Sequence, residues 1–246
     1  YMAIQYPSER NLTAAIVPVG NEILSGRTLE KNANWIAGKL SDIGLSLRQI
    51  RVIPDEVDII INTVRELSAS HDFLITTGGI GPTHDDKTAQ SVGKAFGQNL
   101  QISQEAQQIL TDYYGKDNLN EGRLKMAYIP QGATLIPNPV SAAPGFRINN
   151  VFVLAGIPEI MKGMMSHVLE EIGTGVPFET RVIDCPYPES EISVHLETVQ
   201  KTFPDIEIGS YPGRVNETYF LKIMLRGKNT SLLDQAESKI RKNLGL

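Results

Sequence analysis

Along the first half of the chain, short unbroken apolar runs alternate with longer stretches that carry an apolar residue every third or fourth position. The first pattern has the length and β-branching of buried strands, the second the period of amphipathic helices. Thr13-Ala-Ala-Ile-Val-Pro-Val19 predicts a first strand, buried on both faces, and residues 20–27 a loop at its end. Residues 30–43 predict a helix with Ile36, Leu40 and Ile43 on one side, stopped by Gly44. Residues 45–53 read as a second strand, ended by Pro54-Asp55. Residues 56–67 follow as a helix with Val57, Ile60, Ile61, Val64 and Leu67 inward. Residues 73–76 form a third strand. Residues 83–96 form a third helix, opened by the capping-box spacing Thr83-x-x-Asp86 and carrying Ala89, Val92 and Phe96 on its apolar side. Strands alternating with helices imply a parallel sheet covered on both faces, a three-layer α/β domain.

The pattern then changes. Residues 103–128 predict two helical pieces, the first with Ala106, Ile109, Leu110 and Tyr113 inward, and the proline-rich 129–145 predicts short strands and turns. Residues 151–155 are another buried strand, and Pro158 opens a helix over 158–172, proline being favoured at the first helical position. Gly173-Thr-Gly-Val-Pro177 marks a boundary between a domain at 1–173 and a small α+β domain at 177–246. The small domain reads as a strand (178–185), a helix with Ile192, Leu196 and Val199 in register, strands near 205–210 and 215–226, and a helix from about 230. Residues 1–12 read as a polar, loosely held arm.

On an open parallel sheet, ligands sit outside the carboxyl ends of the strands, at a point where the strand order reverses. That rule selects the loops at 20–28, 54–56, 77–87 and 156–159. In the third, Gly78, Gly79 and Gly81 permit a sharp turn and close approach to a ligand, and a helix start behind them offers N–H groups to an anion. Asp85 and Asp86 beside an anion site make chemical sense with a divalent cation between them. The same residues also suit a purely structural turn capped by Asp86. The spacing matches neither a Walker loop nor Gly-x-Gly-x-x-Gly.

Composition narrows the field. With 246 residues, 41% hydrophobic and 21% charged, the chain is long enough for a full core. A net charge of −5 disfavours a nucleic-acid backbone as partner. Cys185 is the only cysteine, so no disulfide within the chain and no thiolate metal site can form. No apolar run reaches the roughly 20 residues of a membrane span, and the first residues show no signal-peptide core, so the expected location is the cytoplasm.

The loops together carry a resemblance. Val19-Gly-Asn-Glu-Ile-Leu-Ser-Gly26, Asn32-Ala-Asn34, Ile53-Pro-Asp-Glu56, Thr76-Thr-Gly-Gly-Ile-Gly-Pro-Thr-His-Asp-Asp-Lys-Thr88, Ala143-Pro-Gly-Phe146, Leu154-Ala-Gly-Ile-Pro-Glu159 and Gly209-Ser-Tyr-Pro212 resemble the molybdopterin-binding (Mog/MoaB-like) fold family, in its CinA branch. The likeness spans nearly the whole chain. Two positions depart from it: Asn21 stands where the family has Asp, and Glu30 where it has Asp. The nicotinamide-mononucleotide deamidase domain of full-length CinA proteins has no counterpart in these residues, and that activity is not carried over.

The resemblance implies a small phosphorylated or nucleotide ligand, a divalent metal (Mg, Mn or Co) and hydrolysis of the pyrophosphate in ADP-ribose-like or FAD-like dinucleotides. Two alternatives stand beside it: binding or adenylation of molybdopterin, and a nucleotide-binding module without turnover, which the missing carboxylate at Asn21 favours. Asp86, Asp85 and Glu22 are the candidate catalytic groups, with Asp86 and Asp55 the candidate metal ligands. Gly20, Ser25, Asn32, Asn34, Thr77, Gly78, Gly79, Gly81, Thr83, Lys87, Gly156 and Pro158 are candidate ligand contacts, and His84 is a candidate base. The competing readings are plain ones: Asp55 as an N-cap, Lys87 and His84 as solvated loop residues, and the small domain as an oligomer contact.

Overall fold

The uninterrupted apolar runs become the inner strands of one sheet in the computed structural model of the chain, which describes residues 12–215 and 218–246. The arm expected at the N-terminus falls almost wholly outside the described residues. The chain divides after Gly175 into two units.

The first unit begins β1 (Thr13–Pro18), α1 (Asn21–Leu24), α2 (Asn32–Asp42), β2 (Ser46–Ile50), α3 (Val57–Ser70), β3 (Phe73–Thr77) and α4 (Thr88–Ala95). It continues β4 (Leu100–Ile102), α5 (Gln104–Tyr114), a 3-10 turn (Lys116–Asn118), α6 (Glu121–Lys125), β5 (Tyr128–Pro130), β6 (Thr134–Ile136), β7 (Gly145–Ile148), β8 (Val151–Leu154) and α7 (Pro158–Ile172). Six strands form the main sheet in the order β2-β1-β3-β8-β7-β6.

Alternation along the strands divides their side chains between two cores. Ala14 and Ile16 of β1, with Ile75 of β3 and Phe152 of β8, face α2 and α7 through Ile36, Leu40, Met161 and Met165. Ala15 and Val17, with Leu74 and Val153, face α3 and α4 through Ile60, Val64, Leu67 and Val92. Strands covered on both faces can be apolar throughout, which is why β3 and β8 are buried at every position. Each fully buried Ile or Leu contributes about 2 kcal/mol of burial.

The chain leaves β1 for β2 on one side, then returns through α3 to β3 on the other side of β1. That reversal is the switch point, and it opens a crevice between the carboxyl ends of β1 and β3.

Four details differ from the sequence expectation. The sheet is mixed, since β7 runs antiparallel to β8 and β6 antiparallel to β7. The loop at 20–27 holds the one-turn α1. The third helix starts at Thr88, not Thr83: Thr83 and Asp86 do pair, but they close a turn, and the Thr88 N–H is taken by the Gly79 carbonyl at 2.9 Å. On α5, Ala106 and Leu110 are buried, whereas Ile109 and Tyr113 face out.

The second unit, Val176–Leu246, is β9 (Glu179–Cys185), α8 (Glu189–Thr202), β10 (Glu207–Val215), β11 (Thr218–Gly227) and α9 (Thr230–Leu244). Its antiparallel sheet has the order β10-β11-β9. Ile183, Leu221, Ile223 and Leu225 on the sheet pack against Ile192 and Val199 of α8 and Leu233 and Ile240 of α9. Asn229 caps α9 by accepting from the Leu232 N–H, and Gly245 ends it in the left-handed conformation. Among the described residues, no helix is long and apolar enough to cross a membrane.

Candidate functional site

Three backbone hydrogen bonds tie the strand ends together beneath the crevice: Val19 N–H to Thr77 O (2.9 Å), Gly20 N–H to Ile53 O (3.0 Å) and Gly78 N–H to Leu154 O (3.0 Å). Gly78 and Gly79 take φ of +96° and +69°. A Cβ at Gly78 would lie 2.4 Å from the Val19 carbonyl, and one at Gly79 2.1 Å from Thr88 Oγ1, so no other residue fits. Past this turn, the N–H groups of Gly79, Ile80 and Gly81 meet no acceptor among the described residues. Successive unpaired N–H groups in such a turn form a concave anion site. The first N–H of α4 is not free for an anion, because it is bonded to Gly79 O.

The crevice encloses about 740 Å³, the size of a small-molecule site. It is lined by Glu22, Asn32, Asp55, Thr77, Gly78, Gly79, Gly81, Thr83, Asp85, Asp86, Gly156 and Pro158, all expected from the sequence. Four expected contacts lie elsewhere. Gly20 is buried below the crevice, where its N–H serves Ile53. Ser25 is exposed and bonds Glu22 O and Arg27. Asn34 points to solvent from α2, two positions from the inward Asn32. Lys87, with His84, lines a neighbouring cavity of about 610 Å³ behind the 79–86 loop.

The acidic groups are held individually. Asp86 Oδ2 accepts from the Thr83 N–H (2.9 Å) and the Thr83 hydroxyl (2.5 Å). Asp55 Oδ2 accepts from the Asn21 N–H (2.9 Å) at the start of α1, and the Glu22 carboxylate lies over Gly20. Burial raises the Asp55 carboxyl, and repulsion from Glu22, Asp85 and Asp86 adds to this against the Asn21 hydrogen bond. Asp85 is lowered, first by the Thr83 hydroxyl, then by its own backbone N–H and by the charges of His84 and Lys125. Two carboxylates in one crevice are thus pushed in opposite directions.

Three buried side-chain atoms have no partner among the described residues: Asn32 Oδ1, Thr76 Oγ1 and Thr88 Oγ1. All belong to elements that meet at the crevice. Each costs about 1–3 kcal/mol if left unpaired. Asn32 is held by its other end, donating from Nδ2 to Gly156 O at 2.7 Å.

Other residues of the site are not among the expected contacts, although Glu30 stands in the sequence as a departure from the family. Glu30 Oε1 accepts from the Ala33 N–H (2.6 Å) and lines the wall. Asn138 ties the proline-rich loop over the crevice, accepting from the Val140 and Ser141 N–H groups and donating to Ala143 O. Leu29 and Ile157, apolar and 75% and 58% exposed, form an oily rim. Asn-x-x-Ser is a recognisable turn signal, and Glu30 with Ala33 three residues on is a local one; Leu29 and Ile157 have none.

Among the described residues, no three His, Cys, Asp or Glu side chains group to hold a metal ion. Magnesium-like ions are commonly held by one or two carboxylates plus substrate phosphates. Asp55 and Asp86, each with one carboxylate oxygen outside the hydrogen bonds above, fit a cation that arrives with a phosphorylated ligand.

A glycine-floored, acid-lined crevice at the switch point of a mostly parallel sheet covered on both faces defines a three-layer α/β protein. Residues 15–174 match the family profile described as "Probable molybdopterin binding domain", and the chain belongs to that family. Residues 177–245 match the profile "FAD synthase, middle domain". The chain is 39% identical to a protein of Archaeoglobus fulgidus over 80% of its length and 84% of the relative's. It is 36% identical to one of Pyrobaculum calidifontis over 81% and 80%. Among solved structures it resembles CinA of Thermoplasma acidophilum, a protein of unknown function, with 36% identity and a TM-score of 0.63, covering 67% of this chain and all of that one. The CinA resemblance in the loop motifs therefore holds at the level of the fold.

Proposed function

We propose that the protein is a divalent-metal-dependent pyrophosphatase of adenylated dinucleotides, of the ADP-ribose or FAD kind. The observation that carries this reading is the convergence of Asp55, Asp85, Asp86 and Glu22 on the unpaired N–H groups of residues 79–81. Those N–H groups bind the phosphate oxygens and take up charge that develops on them as the bridge breaks. Glu22 receives the proton of the attacking water. Hydroxide adds to one phosphorus, the P–O–P bridge oxygen leaves with the other, and two phosphomonoesters result. Asp55 and Asp86 would hold the cation, which when bound supplies neutralisation and polarisation of the phosphoryl oxygens. The rim of Leu29 and Ile157 suits the face of a flat ring. The likeness of the second unit to a FAD synthase domain puts FAD beside ADP-ribose in the substrate panel.

Purified protein incubated with ADP-ribose or FAD and Mg, Mn or Co ions should release AMP. No AMP above an EDTA blank across the panel would refute this function. The family description favours a second reading, a molybdopterin handler. Tight binding of molybdopterin with no binding of dinucleotides would select it.

A further inference from the structure

We infer that Lys125 is a positioning residue, whose ammonium group clamps the Thr83–Asp86 turn and so aims the Asp86 carboxylate into the crevice. The inference rests on the pyrophosphatase reading of that crevice.

Lys125 Nζ donates to Thr83 O and, at 3.0 Å, to Asp86 O. These carbonyls stand at the two ends of the turn that carries Asp85 and Asp86. Residues 80–86 belong to no helix or strand. Within the turn, the Thr83 N–H and hydroxyl meet Asp86 Oδ2, and the Asp86 N–H reaches Thr83 O at a long 3.4 Å. Lys125 is the tie from outside the turn, and it spans 39 to 42 positions of sequence.

The base of the lysine is itself fixed. Asn120 caps α6 by accepting from the Arg123 N–H (2.9 Å), and the Arg123 guanidinium stacks on the Tyr114 ring of α5 at 4.2 Å. Leu124 and Met126, on either side of Lys125, pack on Ala106, Leu110 and Ala127. Gly122 lies against Pro82, where a Cβ would sit 3.5 Å from the Pro82 carbonyl, so α6 runs beside the turn. A lysine ammonium is a strongly hydrated point charge. Directing it at two neutral carbonyls forgoes a salt bridge and gains rigidity at the acidic loop. Misplacement of a catalytic group by about 1 Å already costs about 10²-fold in rate.

The test compares Lys125→Met, Lys125→Arg and wild type by thermal melting, by hydrogen exchange at the Thr83 and Asp86 amides, and by steady-state hydrolysis of ADP-ribose with Mn ions. Lys125→Met should exchange at those amides at least tenfold faster. It should lose at least tenfold in kcat with KM changed less than threefold, and Lys125→Arg should recover part of the kcat. Unchanged exchange, or faster exchange with unchanged kcat, would overturn the inference. A Met variant that does not fold is replaced by Lys125→Gln, read the same way. If wild type shows no hydrolysis the proposed function fails, and the positioning role then stands or falls on the exchange measurement alone.

Discussion

The two units solve their packing differently. In the second, the sheet and two helices close on a core of Ile183, Ile223, Leu225 and Ile240, and no buried side-chain atom among its described residues lacks a partner. Its glycines accept aromatic cover: the Phe220 ring lies over Gly213 and the Tyr211 ring over Gly209. In the first, the three orphaned atoms, the positive-φ pair Gly78 and Gly79 and the acidic groups gather at one end of one sheet. A buried acceptor without a donor and carboxylates set near each other both lower stability. The first unit can carry them because its two cores are large. In the first unit such features are concentrated at the switch-point crevice, whereas the second has no orphaned buried side-chain atom among its described residues.

Substitutions can break this contrast, and the largest effect should come from the crevice. Asp86→Ala should lower hydrolysis by about 10³-fold, about 4 kcal/mol of barrier, with the melting profile nearly retained; normal turnover would remove Asp86 from the site. Leu225→Ala should cost about 3 kcal/mol in the second unit, read by urea unfolding, because it empties a fully buried position on β11. Gly79→Ala should cost about 2 kcal/mol, since its φ is strained for alanine and its Cβ meets Thr88.

Asp55→Asn tests the electrostatic half of the contrast. A carboxyl raised in the folded state binds its proton more readily folded than unfolded. It therefore favours folding at acid pH and loses that contribution as pH rises through its folded pKa. The Asn variant should melt above wild type near neutral pH, with the gap closing as the medium is acidified; a gap that widens instead would contradict the raised Asp55. Least of all, Gly213→Ala should cost at most about 1 kcal/mol: the obstacle is the tip of the Phe220 ring, which can rotate, and the backbone there is not left-handed.

What was legible follows from the same physics. β1, β3 and β8 are buried on both faces, so they stand in the sequence as unbroken apolar runs, and α7 begins at Pro158 as its composition demands. The antiparallel β6 and β7 are only three and four residues long, too short for any period to register. The capping-box spacing at Thr83 marks a real pair but not a helix start, because a local hydrogen-bond pattern does not say whether the chain beyond it continues helical. Of the site, the glycines and acids could be read because each follows a strand. Asn32 and Asn34 could not be told apart until the helix was in place. Glu30 stands in the sequence as a departure from the family and is held by a local bond to the Ala33 N–H, whereas Lys125 reaches the loop through the tertiary fold and nothing adjacent in sequence announces it.

The lacing of strand ends under the crevice has a thermodynamic consequence for recognition. Val19, Gly20 and Gly78 spend their N–H groups on Thr77, Ile53 and Leu154 before any ligand arrives. A guest that docks on this floor has little backbone to immobilise there, so less of its contact energy goes to ordering the host. Adjustment is left to the rim and to the loop closed by Asn138. Association should therefore resemble entry into a preformed mould with a movable edge, in which different guests are told apart by how the edge settles on them.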